Sequence, residues 1–162
     1  EIKAYRDEML KTNSAFDGTS SLKRFENPAQ WIKYNMSLMN KETVPYGLVQ
    51  ATQFIYVREN DGKIVGMINV RHYFNDYLEK YGGHIGYSVR PSERRKGYAK
   101  SMLKEALKYC KELGINKVLV SCLSDNEGSR KTILANGGVY ESTVKLPNSN
   151  EYLERYWIDI ND

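Results

Sequence analysis

Tyr87-Ser88-Val89-Arg90-Pro91-Ser92-Glu93-Arg94-Arg95-Lys96-Gly97-Tyr98-Ala99-Lys100 is the stretch that decides the fold. A strand-like run breaks at Pro91, and a basic, glycine-containing loop then opens a long amphipathic helix. Free N–H groups at a helix start point at whatever sits above them, and nearby Arg and Lys favour a negative ligand there. The spacing is neither that of a Walker loop nor that of a dinucleotide-binding loop. It reads as a cradle for a pyrophosphate.

The helix behind the loop is well specified. Ala99, Met102, Leu103, Ala106, Leu107, Cys110 and Leu113 recur at helical spacing and form one apolar stripe, with Lys100, Lys104, Glu105, Lys108, Lys111 and Glu112 off it. Gly114 is placed to end the helix in a left-handed cap. A helix buried along one side gives the loop a rigid support.

Working outward, Lys117 to Cys122 is a short β-branched strand, and Asp125-Asn126-Glu127 caps a helix running through Ile133 and Leu134 to Gly137-Gly138. Residues 139–144 and 152–160 read as strands around a turn at Pro147-Asn148. Upstream, residues 54–58 and 64–70 read as strands joined by the hairpin turn Asn60-Asp61-Gly62-Lys63. Residues 73–81 form a short helix or irregular excursion, and Gly82-Gly83 releases the chain into the strand from His84 to Val89. Ile2, Tyr5, Met9 and Leu10 suggest an opening helix. Asn27-Pro28 starts a second one, with Asn as cap and Pro in the first turn. The strand–helix–strand unit over 84–122 requires a right-handed parallel crossover, whereas the hairpins are antiparallel. The fold class is therefore α/β (α+β), a mixed central sheet flanked by helices.

Composition narrows the function. A chain of 162 residues suits one domain spanning 1–162, and the excess of basic residues is a mild +4. No apolar run is long enough to cross a bilayer, and no signal peptide is visible. The chain starts at Glu1 inside a helical pattern, so a first strand is expected to be missing from the N-terminus. The two cysteines read as buried reduced thiols and point to a cytoplasmic protein. Two histidines without a Cys/His cluster argue against a metal site. Nucleic-acid binding through the loop is the weakest reading, because the basic cluster is short and lacks an aromatic ladder.

Arg94-Arg95-Lys96-Gly97-Tyr98-Ala99 resembles the signature of the GNAT acetyltransferase superfamily: Arg or Gln, two residues, Gly, one residue, then Gly or Ala. The setting between strand and helix agrees. Asn126, Ser129 and Gly137 match the family's second segment, an Asn after the next strand, a small residue three positions on and a glycine ending the helix. A poorly characterised bacterial subgroup of these enzymes is similar in its Gly-Gly-His-Ile-Gly-Tyr before the loop and its Gly-Gly after the second helix. The matching block, residues 82–138, covers about a third of the chain.

The resemblance implies an acetyl-CoA-dependent N-acetyltransferase that uses a ternary complex without a covalent enzyme intermediate. The acceptor is a primary amine of a small molecule, amino acid or peptide. The resemblance also implies a V-shaped splay between two parallel strands. Pantetheine lies in that gap against backbone groups near Ser88 and Val89, and the pyrophosphate over the loop formed by Arg94, Arg95, Lys96, Gly97, Tyr98, Ala99 and Lys100. Asn126 offers its amide to the cofactor or serves as a plain helix cap, with Ser129 beside it. His84 is the first candidate for general base, ahead of His72, Asp76 and Glu79. Many family members carry an acidic Tyr where Ile133 stands, so Tyr87, Tyr140 or Tyr156 is expected to act instead. The absent Tyr also leaves open a non-catalytic acetyl-CoA-binding module. Oligomeric state stays open, a homodimer included.

Overall fold

The computed structural model describes residues 1–161. Helices α1 (Ile2–Lys11) and α2 (Pro28–Leu38) precede the hairpin β1 (Ala51–Arg58) and β2 (Lys63–Arg71). Strand β3 (Ile85–Val89), helix α3 (Tyr98–Glu112) and strand β4 (Lys117–Leu123) form the crossover. Helix α4 (Glu127–Ala135) and strands β5 (Gly138–Lys145) and β6 (Tyr152–Asp159) complete the order. The strands form one sheet in the order β1-β2-β3-β4-β6-β5. Only β3 and β4 run parallel; the other neighbours are antiparallel. The mixed sheet expected from the sequence is what forms.

Local chemistry accounts for the elements. The Asn27 side chain accepts the Ala29 N–H at 2.9 Å with Pro28 in the first turn, the capping expected from Asn-Pro. Gly114 takes the left-handed conformation just past α3, at φ +79°. On α3, Met102, Leu103, Ala106, Leu107 and Cys110 are buried against Ile68, Val70, Val118 and Val120 of the sheet. Burying one such side chain contributes about 1.5–3 kcal/mol, so this stripe fixes where α3 begins and hence where the loop ahead of it sits. On the opposite face, Tyr5, Met9, Leu22 and Trp31 pack on Ile64 and Met67. The sheet is thus covered on both faces, by α1 and α2 on one and by α3 and α4 on the other.

The excursion after β2 ends in a single wide helical turn over Leu78–Gly82, started by a bond from the Leu78 N–H to the Asn75 side chain at 2.9 Å. Arg155 of β6 clamps this turn, donating from Nη1 to the carbonyls of Glu79 and Lys80, each at 2.6 Å. The strand expected from His84 begins at Ile85. No helix among the described residues is long and apolar enough to cross a membrane.

Candidate active site

Strands β3 and β4 share a single registered pair, Ile85 with Val120, after which they part. The bonds from the Arg71 N–H to the His84 carbonyl and from the Arg90 N–H to the Val65 carbonyl show that even-numbered residues of β3 bond to β2. Backbone groups alternate along a strand, so those of Tyr87 and Val89 face the gap. Across it, the Ser121 hydroxyl of β4 is buried without a partner among the described residues. A cleft of about 1280 Å³ opens here, walled by both strands, the 95–100 loop, the first turn of α4 and the 12–21 connection.

The loop at one end of the cleft is held from behind. Glu93, 4% exposed, receives Arg58 at 2.9 Å, Lys63 at 2.8 Å and Lys96 at 2.7 Å. Hydrogen bonds from Lys63, Lys96 and Arg58 hold its carboxyl far below the usual range. Arg95 adopts φ +62° and Gly97 φ +82°. A Cβ at residue 97 would meet nothing within 4 Å, so the upper face of the loop is open. Successive amides in such left-handed conformations make a nest for an anion. Arg94, Arg95, Gly97, Tyr98, Ala99 and Lys100 all line the cleft. Arg94 donates Nε to the Val89 carbonyl at 3.2 Å, tying the loop to the strand end.

Lys96 departs from its expected place. Its ammonium is engaged by Glu93, on the far side of the loop from the cleft, so it anchors the loop instead of facing a ligand. Ser88 lies along the cleft wall, yet its hydroxyl bonds to the Tyr5 hydroxyl at 2.8 Å and its backbone faces β2. Asn126 caps α4 by accepting the Ser129 N–H at 3.1 Å and also borders the cleft.

The expected catalytic residues separate. Tyr87 points to α4, with its hydroxyl 2.6 Å from the Ser129 Oγ. Burial raises its pKa well above the usual tyrosine range, with the bond to Ser129 opposing. Tyr140 sits on edge strand β5, 54% exposed and bonded to Thr143, and is not among the residues that wall the cleft. Tyr156 is buried and bonds to Glu154. Ile133 is sealed in the core, so its position on α4 does not face the cleft at all.

His84 is also turned away from the base role. Its Nδ1 accepts the Leu119 N–H at 2.9 Å, and its ring stacks on Phe74. With Nδ1 as acceptor, the neutral ring carries its proton on Nε2 and has no lone pair left to take another. Burial, reinforced by the Arg71 charge, lowers its pKa to about 4. His72 bonds to Thr52 on β1, also outside the cleft. Burial pushes the Cys122 thiol up to about 11, far from a thiolate.

Sequence reasoning missed Asp17 and Arg71, which face each other at the other end of β3. Gly18 lies flat on that strand: a Cβ there would fall 2.3 Å from the Gly86 carbonyl oxygen and from the Tyr87 Cα. This contact brings Asp17 over the start of the gap. Asp17 keeps access to solvent, yet crowding by the protein raises its carboxyl pKa, with Arg71 pulling the other way. The only sequence signal was Asp-Gly in a connection, which otherwise reads as a turn.

The diverging strands, the backbone groups facing the gap, the orphaned Ser121 hydroxyl and the anion nest together fit an extended arm joined to a diphosphate, as the pantetheine arm is in coenzyme A. The family model for the acetyltransferase (GNAT) family matches residues 16–137. A comparison with curated proteins gives no match. Among solved structures, Mycobacterium smegmatis RimJ in complex with CoA-disulfide superposes with a TM-score of 0.69 at 16% identity, covering 98% of this chain and 77% of that one. The ribosomal-protein-S5-alanine acetyltransferase of Vibrio fischeri gives 0.68 at 16% identity, with 99% and 87% covered. A mutant of the spermidine N-acetyltransferase SpeG of Vibrio cholerae gives 0.59 at 14%, with 83% and 76% covered. These likenesses concern the fold, and acetyl-CoA is the cofactor of the family. On the match over residues 16–137, this chain belongs to the GNAT acetyltransferase family.

Proposed function

We propose that the protein is an N-acetyltransferase that passes an acetyl group directly from acetyl-CoA to a primary amine in a ternary complex in the cytoplasm. The observation that carries this reading is the single β3–β4 pair, with the anion nest closing one end of the gap beyond it. The two buried free thiols support a reducing compartment.

The amides of residues 95–99, with Arg95 and Lys100, would hold the diphosphate. Tyr87 and Val89, with Ser121, Asn126 and Ser129, would hold the pantetheine arm. Acetyl-CoA supplies the acyl group as a thioester. The N–H groups of Tyr87 and Val89 offset negative charge developing on the carbonyl oxygen. Asp17 takes the proton that the amine sheds as its nitrogen bonds to the acetyl carbon. The Tyr87 hydroxyl, kept protonated by burial, would give a proton to the sulfur as it leaves the acetyl carbon. Tyr87 is then reprotonated from solvent past Ser129.

Thiol release from acetyl-CoA in the presence of a panel of amines tests this reading. Turnover is expected with at least one class of amine. Tyr87→Phe should lower kcat on the order of a hundredfold while acetyl-CoA affinity changes little. Acetyl-CoA binding without thiol release for any amine would mark the protein as a non-catalytic binding module.

A further inference from the structure

Most recessed arginines of this protein are closely paired with acids, and Arg6, which bonds to the carbonyls of Leu22 and Lys23, still has Asp7 at 4.0 Å. Arg58, Arg90, Arg130 and Arg155 each reach a carboxylate at 3.2 Å or closer. Arg71 does not: among the described residues no carboxylate lies within ion-pair distance of it. Its hydrogen bond goes from Nη1 to the Gly82 carbonyl at 3.2 Å. The guanidinium lies over Gly86, where a Cβ would stand 3.2 Å from Nη2 and 3.4 Å from Nη1. It lines the cleft, and among the described residues its side chain makes no other hydrogen bond. A guanidinium crowded by protein without a counter-ion is an unfavourable arrangement that a bound anion relieves.

The place of Arg71 excludes the diphosphate as that anion. Arg71 ends β2 beside the start of β3, whereas the nest follows the end of β3, about 16 Å away at strand rise. Asp17 stands in the same recess, coupled to Arg71 through space but not in contact with it. Gly18 on one side and Gly86 on the other let loop, strand and guanidinium converge there. Tyr77, Tyr81 and Gly82 of the neighbouring turn also line the cleft, and the Gly82 carbonyl is the one Arg71 bonds.

We infer that Arg71 and Asp17 form the two poles of an acceptor subsite for an amine that also carries a carboxylate, of which a free α-amino acid is the simplest. The inference rests on the acetyl-transfer reading above. Arg71 takes the carboxylate through its planar pair of donors. Asp17 faces the ammonium and takes one proton from it, which frees the nitrogen's lone pair; as the nitrogen–acetyl bond forms and the carbon–sulfur bond breaks, the second nitrogen proton leaves to solvent and the sulfur takes a proton from Tyr87. A polyamine brings no partner for Arg71 and sets a second cation against it. A peptide N-terminus lacks a carboxylate next to the amine.

The test uses the full chain with the free proteinogenic amino acids, their carboxamides and spermidine as acceptors. Thiol release is followed, with calorimetric binding of acids and amides in the presence of coenzyme A as a second readout. Free acids should be preferred over their amides on the order of thirtyfold or more in kcat/KM, and calorimetry should detect only the acids. Arg71→Gln should abolish that preference, mainly through KM, while acetyl-CoA affinity stays unchanged; Arg71→Lys should restore part of it. Asp17→Asn should lower kcat more than it raises KM. The wild-type comparison needs no variant to fold. Equal use of acids and amides, or acetylation of spermidine alone, would overturn the subsite and leave the acetyl-transfer reading intact. Acetyl-CoA binding with no transfer to any amine would overturn both.

Discussion

Gly97 carries the clearest residue-level consequence of the loop. Its φ of +82° suits glycine, and the space above it is open. Gly97→Glu places a carboxylate where the diphosphate is expected and adds about 1–2 kcal/mol of backbone strain. Calorimetry should show acetyl-CoA affinity falling on the order of tenfold or more, whereas Gly97→Asn, which tolerates this conformation without charge, should lose far less. Equal losses for both variants would mean that strain alone explains the effect. His84 gives the opposite kind of expectation. Removing its ring leaves the Leu119 N–H without its partner, which costs about 1–3 kcal/mol. His84→Ala should therefore lower the melting temperature and leave the pH dependence of kcat in place; loss of the acid limb would restore His84 as the base. The sequence could nominate His84 because it counts residues back from the loop. It could not say which ring nitrogen meets a backbone amide 35 positions away.

At the scale of elements, α1 is fastened to the end of β3. Glu8 accepts from Arg90 Nε at 2.6 Å and from the Ser92 N–H at 2.7 Å, and Glu1 reaches Arg90 at 3.1 Å. Burial alone would raise the Glu8 pKa, but the bonds from Arg90 and Ser92 outweigh it and bring the carboxyl to about 2. A carboxylate depressed in the folded state stabilises fully above its unfolded value of 4.5, and that contribution is lost as pH falls toward 2. His84 acts earlier: the unfolded chain binds its proton near 6.5 and the folded one near 4, so stability declines first across that window. Denaturant titrations should show two successive losses on acidification. Glu8→Gln should shrink the lower one, which Glu93 and Glu154 share, and His84→Ala the upper, which His72 shares. A single transition unchanged by both substitutions would contradict this linkage. Helix α3, the β1–β2 hairpin and the Asn27 cap were legible because periodicity, turn chemistry and capping are local patterns. The seating of Gly18 on Gly86, the Arg155 clamp and the Lys96–Glu93 anchor were not. Each depends on which surfaces meet after folding, or on which way a flexible cation turns.

For the whole molecule, two positively charged points mark the ends of one cleft. The loop nest lies after β3 and Arg71 before it with Asp17 at its side, and the amides of Tyr87 and Val89 face the gap between. The parallel neighbours β3 and β4 generate this layout, since their divergence exposes backbone groups that a continuous ladder would have consumed. The mixed sheet was readable from the order of strands and helices. The depth of the cleft and its acceptor end were not, because the walls come from the 12–21 connection, the 78–82 turn and β6, which share no motif. A crystal structure with acetyl-CoA tests the central claim most directly. The diphosphate is expected within hydrogen-bonding distance of the amides of residues 95–99, with the pantetheine arm along Tyr87 and Val89 and the thioester near Asp17. A diphosphate bound elsewhere, or a β3–β4 gap closed by the protein's own backbone in that complex, would contradict it.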